Sequence, residues 1–125
     1  MEKNYTAGFA GAGHMGRILA AAVIRAGGKT AVTCRTPEHG RRAAEALGCS
    51  YAAVEEILRD SRFVFLGMRP QDLEAFAAEY REQIAASDSV FVSMLAGVSI
   101  ARLQDVLGSD RRIIRIMPNT PSAVG

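Results

Sequence analysis

The sequence predicts an α/β fold, a doubly wound parallel sheet with helices on both faces. Three observations predict it. Short apolar runs alternate with amphipathic runs along all 125 residues. Glycines at 11, 13 and 16 stand between the first apolar run and the first amphipathic one. The third apolar run, "FVFLGM", is nearly continuous, as in a strand buried on both faces.

The elements follow in order. "TAGFA" reads as a strand and "MGRILAAAVIRAGG" as a helix ended by a glycine pair. "TAVTC" is the second strand, and "PEHGRRAAEALG" a helix with Thr36 at its N-cap, Pro37 at its first position and Gly48 as its stop. A short helix over Val54 to Arg59 leads into "FVFLGM". Pro70 opens a long helix whose Leu73, Phe76, Ala77, Tyr80 and Ile84 share one face, expected to dock on the sheet. "SVFVSML" is the next strand, Ser99 caps a helix carrying Ile100, Leu103 and Leu107, and "RIIRIMP" is a last strand stopped by Pro118. Such alternation calls for right-handed crossovers between parallel strands.

Composition narrows the function classes. With 49% hydrophobic and 22% charged residues and four prolines, disorder and low complexity are excluded. The net charge of +2 is small and its basic residues scattered, which argues against nucleic acid as a partner. No apolar run approaches the roughly 20 residues that cross a bilayer, and "MEKNYTAGF" lacks an export signal, so a cytoplasmic protein without membrane contact is expected. Cys34 and Cys49 lack metal-ligand spacing and read as reduced core thiols; His14 and His39 are isolated, and no metal site is expected. There is no internal repeat. Residues 1–125 are expected to be one domain of a longer protein.

A bare G-x-G-x-x-G is weak evidence, since glycine triplets also mark simple turns. Here the motif follows a strand and opens a helix. Gly11 is then suited to a tight turn, Gly13 to close approach of backbone and pyrophosphate, and Gly16 to close packing of helix on strand. This context points to a Rossmann-type dinucleotide site at the helix N-terminus. An NAD enzyme usually presents an acid at the end of the second strand, but this chain reads "TCRTPEH" there, with Arg35 and Thr36 in place and the first acid, Glu38, inside the next helix. A guanidinium clamping a 2'-phosphate, at roughly 1.5 to 3 kcal/mol, would favour NADP(H) over NAD(H) about 10 to 150-fold. Arg41 and Arg42 would add to the field. The alternative is that Arg35 is a solvated surface residue.

Three further stretches fall at carboxyl ends of strands, where ligands of open α/β sheets sit: "GMRPQ", "MLAGVS" and "MPNTP". Gly67 and Gly97 permit close ligand approach, and the residues before the prolines are held extended. Ordinary turn chemistry explains the same stretches equally well. No Ser/His/Asp arrangement or pair of acids competes for a catalytic role, and Arg69 is too basic to donate a proton at neutral pH.

These segments resemble, in order, those of the pyrroline-5-carboxylate reductases, over essentially Tyr5 to Gly125. "GFAGAGHMG" is similar to the family's glycine loop, "CRTPE" to its second-strand end, "FVFLGMRPQDL" to its "FLAVKPQ", "SMLAGVSIARL" to its "AAGVSI" and "RIIRIMPNTPSAVG" to its "RVMPNTP". The resemblance implies a Rossmann domain binding NADP(H), with NAD(H) second, for hydride transfer to the cyclic imine 1-pyrroline-5-carboxylate, giving proline. It implies a cofactor site from Gly11, Ala12, Gly13, His14, Met15 and Gly16, with Arg35 and Thr36 at the 2'-phosphate. Met68, Arg69 and Pro70 would lie along the ribose and diphosphate, Ala96 and Gly97 near the nicotinamide. Asn119 and Thr120 would face the substrate. It further implies a helical C-terminal domain, absent from this chain, that dimerises and completes the substrate pocket, so the intact protein is expected to be a homodimer or higher homo-oligomer.

The chain departs from the family at Arg69, usually Lys; at Leu95, commonly a small alanine, where a larger side chain would crowd the nicotinamide or the substrate; near Val54, where a cofactor-contacting Asn is frequent; and at His14, commonly Asn. Leu95 and Gly67, which alter otherwise standard strand ends, motivate an alternative, a non-catalytic nucleotide-binding relative with a regulatory role. A superfamily oxidoreductase acting on another substrate, such as a deazaflavin cofactor, is a second alternative.

Overall fold

The computed structural model describes residues 3–11, 13–34 and 36–116. Among them, six parallel strands form one sheet: β1 (Tyr5–Ala10), β2 (Thr30–Thr33), β3 (Ser50–Tyr51), β4 (Ser61–Leu66), β5 (Val90–Ser93) and β6 (Arg112–Arg115). Their order is β3-β2-β1-β4-β5-β6, so the chain winds outward from β1 in one direction and from β4 in the other. That is the doubly wound Rossmann arrangement, with its switch point between β1 and β4. The connecting helices are α1 (His14–Arg25), α2 (Pro37–Leu47), α3 (Val54–Asp60), α4 (Leu73–Glu79), α5 (Arg81–Ala86) and α6 (Ile100–Leu107), with a 3-10 turn at Pro70–Asp72.

Local chemistry sets the boundaries. Gly48 stops α2 in the left-handed region at φ +75°, where its N–H and that of Cys49 both donate to the Ala44 carbonyl at 2.9 Å. Thr36 takes the extended N-cap conformation before Pro37, without a side-chain capping bond. Ser99 does cap α6, its Oγ accepting from the Arg102 N–H at 3.1 Å.

Helices on both faces divide the core in two. On one face α1 and α2 bring small residues, Ala20, Ala43 and Ala44, down onto Ala7, Phe9 and Val32. On the other, Ile57, Leu73, Ile84 and Leu103 from α3 to α6 cover Ala31, Val64, Leu66 and Phe91. Burial of these apolar side chains is the main force holding the helices to the sheet.

Four expectations change. First, the long helix after Pro70 bends at Tyr80 (φ −110°, ψ 26°) into α4 and α5. The bonds from Tyr80 N to Phe76 O and from Ile84 N to Tyr80 O persist across the bend, so the apolar spacing continues and conceals it. Leu73, Ala77 and Ile84 are buried, whereas Phe76 and Tyr80 are partly exposed. Second, β3 has two residues and no apolar pattern of its own; it exists by pairing with β2.

Third, β4 is not buried on both faces. Phe63 and Phe65 are half-buried, because among the described residues α1 and α2 stand over the β1 to β3 half of that face. The cross-strand row Val32, Phe9, Phe65, Val92, Ile114 runs from fully buried at Val32 to 47% exposed at Ile114. Fourth, Leu103 and Leu107 of α6 are buried but Ile100 is exposed.

The amino-terminal edge of the sheet is closed by side chains. Lys3 pairs with Asp88, Asn4 donates to Asp60 at 3.1 Å, and the Tyr5 hydroxyl donates to Glu56. Ser87 and Ser89 donate to the carbonyls of Leu58 and Ser61 at 2.8 and 2.6 Å. Arg111 donates to the carbonyls of Ile84, Ala85 and Ser87 at the end of α5.

Candidate functional site

β1 delivers the chain to Gly11 at the carboxyl edge, beside the switch point. Gly11 has φ +93°, and its N–H donates to the Thr33 carbonyl at 3.0 Å, tying the turn to β2. Gly13 is the N-cap of α1, in extended backbone (φ −76°, ψ −168°), and a Cβ placed there would meet nothing within 4 Å. The first helical bond runs from Arg17 N–H to Gly13 O at 3.0 Å, so the amides of residues 14–16 precede it. Among the described residues no side chain caps them, and no acid lies in the first turn to oppose the positive end of the helix dipole. Gly16 is buried; a Cβ on it would lie 3.4 Å from Gly11 O and 3.8 Å from the Phe9 ring.

Beside the turn lies a cavity of about 310 Å³. Gly11 and Cys34 wall it at the strand ends, Val54 and Met68 flank it, and Phe76 of α4 and Tyr80 at the α4–α5 bend line its other side. The two rings are tilted at 51° with centroids 5.3 Å apart. Asp72 and Glu79 add acidic groups, and burial, with Glu79 alongside, raises the Tyr80 pKa. A slot that combines aromatic walls with polar groups in its lining suits a planar heterocycle. Among the described residues, recesses of about 880 Å³ and about 480 Å³ at the amino-terminal edge and of about 240 Å³ between the α4–α5 segment and α6 include none of the expected site residues.

The structure thus brings Gly11 and Met68 to one cavity, with Gly13, Met15 and Gly16 on the adjoining turn of α1. Thr36 is exposed at the start of α2. Arg69 is exposed and its Nε donates to Asp72 at 3.0 Å, so its charge is already matched; Pro70 opens the 3-10 turn behind it. Ala96 and Gly97 are exposed in the turn after β5, where Gly97 has φ +74°. Ala12, Arg35, Asn119 and Thr120 lie outside the described residues, as does Pro118. Of the two arginines expected to add to the field at Arg35, Arg42 is paired with Glu38 at 3.0 Å and Arg41 lies 5.4 Å over the Tyr51 ring.

Two departures resolve differently. Leu95, expected to crowd a ligand, is 2% exposed and packs in the same apolar core as Leu103. Val54 does line the cavity and supplies an apolar wall. The residues missed were Cys34, Phe76 and Tyr80. Cys34, expected in the core, is a free, partly exposed thiol at the cavity. The signals were present: Cys34 follows the last β2 residue, and Phe76 and Tyr80 form an i, i+4 pair after the second strand-end loop.

A family model described as NADP oxidoreductase coenzyme F420-dependent matches residues 6–97. The chain is 36% identical over 123 residues to a pyrroline-5-carboxylate reductase of Staphylococcus epidermidis, covering 94% of this chain and 45% of that protein. Its fold is similar to that of a pyrroline-5-carboxylate reductase from Coxiella burnetii, with a TM-score of 0.81 and 25% identity over 96% of this chain and 46% of the other. It is also similar to the Plasmodium falciparum pyrroline carboxylate reductase solved with NADP bound, with a TM-score of 0.71 and 22% identity, covering 99% of this chain and 46% of that one. The chain therefore spans about half the length of the proteins it matches.

Proposed function

The chain belongs to the family described as NADP oxidoreductase coenzyme F420-dependent, and on that premise we propose that it is the cofactor-binding part of a pyrroline-5-carboxylate reductase, using NADPH to reduce the cyclic imine to proline. The observation that carries the reading is the bare N-terminus of α1, with its open approach over Gly13 and its amides at 14–16, next to the cavity at the switch point. Those amides would hold the pyrophosphate by hydrogen bonds and by the helix dipole. The slot walled by Phe76, Tyr80 and Val54 would take the adenine. Arg35 and Thr36, at the end of β2, would take the 2'-phosphate. The turn at Ala96 and Gly97 would support the nicotinamide end, with Asn119 and Thr120 on the substrate side.

Bound in this way, the cofactor supplies a hydride. The chain's own part is to fix its position and exclude alternative orientations, which is what a nicotinamide enzyme contributes beyond the chemistry of the cofactor. The remaining substrate contacts, and homo-oligomerisation, are assigned to the portion that the relatives carry beyond the matched half. The packing of Leu95 into the core removes one of the two motives for a non-catalytic relative.

Binding of NADPH and NADH to this chain, before and after Arg35→Asp, tests the cofactor assignment. The substitution is expected to weaken NADPH by about 10 to 150-fold and NADH little; equal losses would contradict a 2'-phosphate role. For the activity, the intact protein is expected to oxidise NADPH when given 1-pyrroline-5-carboxylate, whereas this chain alone binds cofactor and turns over poorly. Cofactor binding by the intact protein without turnover would contradict the reductase reading.

A further inference from the structure

β6 is unfinished on three sides. It ends the sheet order, and among the described residues no strand lies beyond it. The Ile116 N–H donates to Ser93 O of β5 at 2.9 Å. Backbone groups alternate in direction along a strand, so the amides of Ile113 and Arg115 point away from β5, toward that open edge. Such an edge is a template for pairing with another segment.

Both faces of the strand are incomplete as well. On one, Ile114 is 47% exposed at the end of the row that runs through Phe65 and Val92. Toward the amino-terminal edge the same face opens into the recess of about 880 Å³ bordered by Phe63, Val90 and Arg112. Arg115 stands on the opposite face, the one on which Ile113 packs against the core. Its Nε is buried and has no hydrogen-bond partner among the described residues. Arg42, Arg59, Arg69 and Arg102 each have a carboxylate, and Arg111 has three carbonyls. A guanidinium nitrogen withdrawn from water costs free energy until an acceptor reaches it.

We propose that an extended segment of the intact protein, from the portion that the relatives carry beyond the matched half, pairs along the outer edge of β6. Side chains of a paired strand alternate between the two faces of a sheet, so one segment serves both. On one face it lays apolar groups over Ile114; on the other it brings an acidic residue to Arg115. The inference rests on the reading of this chain as part of a longer reductase, since more than half of each relative described above lies outside the match. A second copy of this chain fits the edge less well. A two-fold contact along β6 would bring Arg112 and Arg115 of the two copies together, like charges with no acceptor between them.

The test is amide hydrogen exchange at Ile113 and Arg115, read without cofactor in this chain and in the intact protein. Both amides are expected to exchange freely in the chain and about tenfold or more slowly in the intact protein, where a paired segment covers them. In the intact protein Arg115→Gln is expected to speed their exchange by about threefold or more, through loss of the charge-assisted contact, while Arg115→Lys keeps most of the protection. The lysine variant also serves if the glutamine variant does not fold. Equal exchange in the chain and the intact protein would overturn the inference. So would protection in the chain alone: rising with its concentration it would mean a second copy on the edge, and independent of concentration it would mean that the chain covers the edge itself. Protection in the intact protein that Arg115→Gln leaves unchanged would overturn the pairing with an acid. Failure of the unaltered chain to bind NADPH would instead overturn the cofactor reading, which this exchange does not probe.

Discussion

At the amino-terminal edge of the sheet, strand starts and helix ends are tied by side chains: Lys3 to Asp88, Asn4 to Asp60, Tyr5 to Glu56, and Arg111 to three carbonyls at the end of α5. At the carboxyl edge the chain turns instead through Gly11, Gly67 and Gly97, leaves the first amides of α1 without a capping side chain among the described residues, and surrounds a cavity of about 310 Å³. Satisfied polar groups add to stability, while donors left to solvent stay available to a ligand. One edge is therefore expected to answer in folding measurements and the other in binding measurements, and substitutions at each should separate the two readouts.

The largest expected effect lies at the open edge. Gly13→Asp places a carboxylate where a pyrophosphate would sit, in space that accepts a side chain. It should weaken NADPH binding by about 100-fold or more, since loss of one charge-assisted contact is compounded by repulsion. Thermal stability should hold or rise by a few tenths of a kcal/mol, because Asp is a better N-cap than Gly and opposes the helix dipole. A parallel loss of stability and binding would erase the distinction between the edges.

Arg111→Ala is the counterpart at the closed edge. Removing a charged donor from three carbonyls should lower the unfolding free energy by about 1.5 kcal/mol, with NADPH affinity unchanged. Chemical denaturation of the variant, followed by ligand titration, measures both.

Tyr5 gives a smaller effect with a defined pH window. Its hydrogen bond to Glu56, then burial and the neighbouring negative charges of Glu56 and Asp60, push its pKa from 10.0 up to about 12. The folded protein thus holds this proton more tightly than the unfolded chain does. The associated stability is complete below pH 10 and is lost as pH rises toward about 12. Denaturation midpoints of the unaltered chain and Tyr5→Phe across that interval should converge, the unaltered chain losing the advantage it holds at lower pH; parallel pH profiles would contradict the coupling. The smallest change is expected for Arg42→Ala, whose exposed i, i+4 pair with Glu38 should contribute about 0.3 to 0.5 kcal/mol in low salt.

Much of this organisation was legible in the sequence because its signals are local. Gly48 and Ser99 mark helix ends by backbone freedom and by a side-chain acceptor, and both act as expected. The glycine loop was legible because spacing alone puts Gly11 at a turn and Gly16 against a strand. What failed was tertiary. The bend at Tyr80 leaves the hydrogen-bond spacing intact, so no pattern announces it, and the half-exposure of Phe65 depends on which face each crossover takes. Phe76 and Tyr80 carry the spacing of core residues, but their rings sit at the rim of the core, where an apolar stripe and a binding wall have the same sequence signature. Gly67 reads as an ordinary strand-end glycine until Gly11, 56 positions earlier, is seen against it.

The central claim, that a dinucleotide is held at the carboxyl edge of the sheet, is tested most directly by titrating NADPH into the ¹⁵N-labelled chain and following its backbone amides. The account predicts saturable shifts at Gly13 to Gly16, Cys34, Met68 and Tyr80, with Tyr5, Asp88 and Arg111 unmoved. No shifts, or shifts centred on the amino-terminal edge, would contradict it.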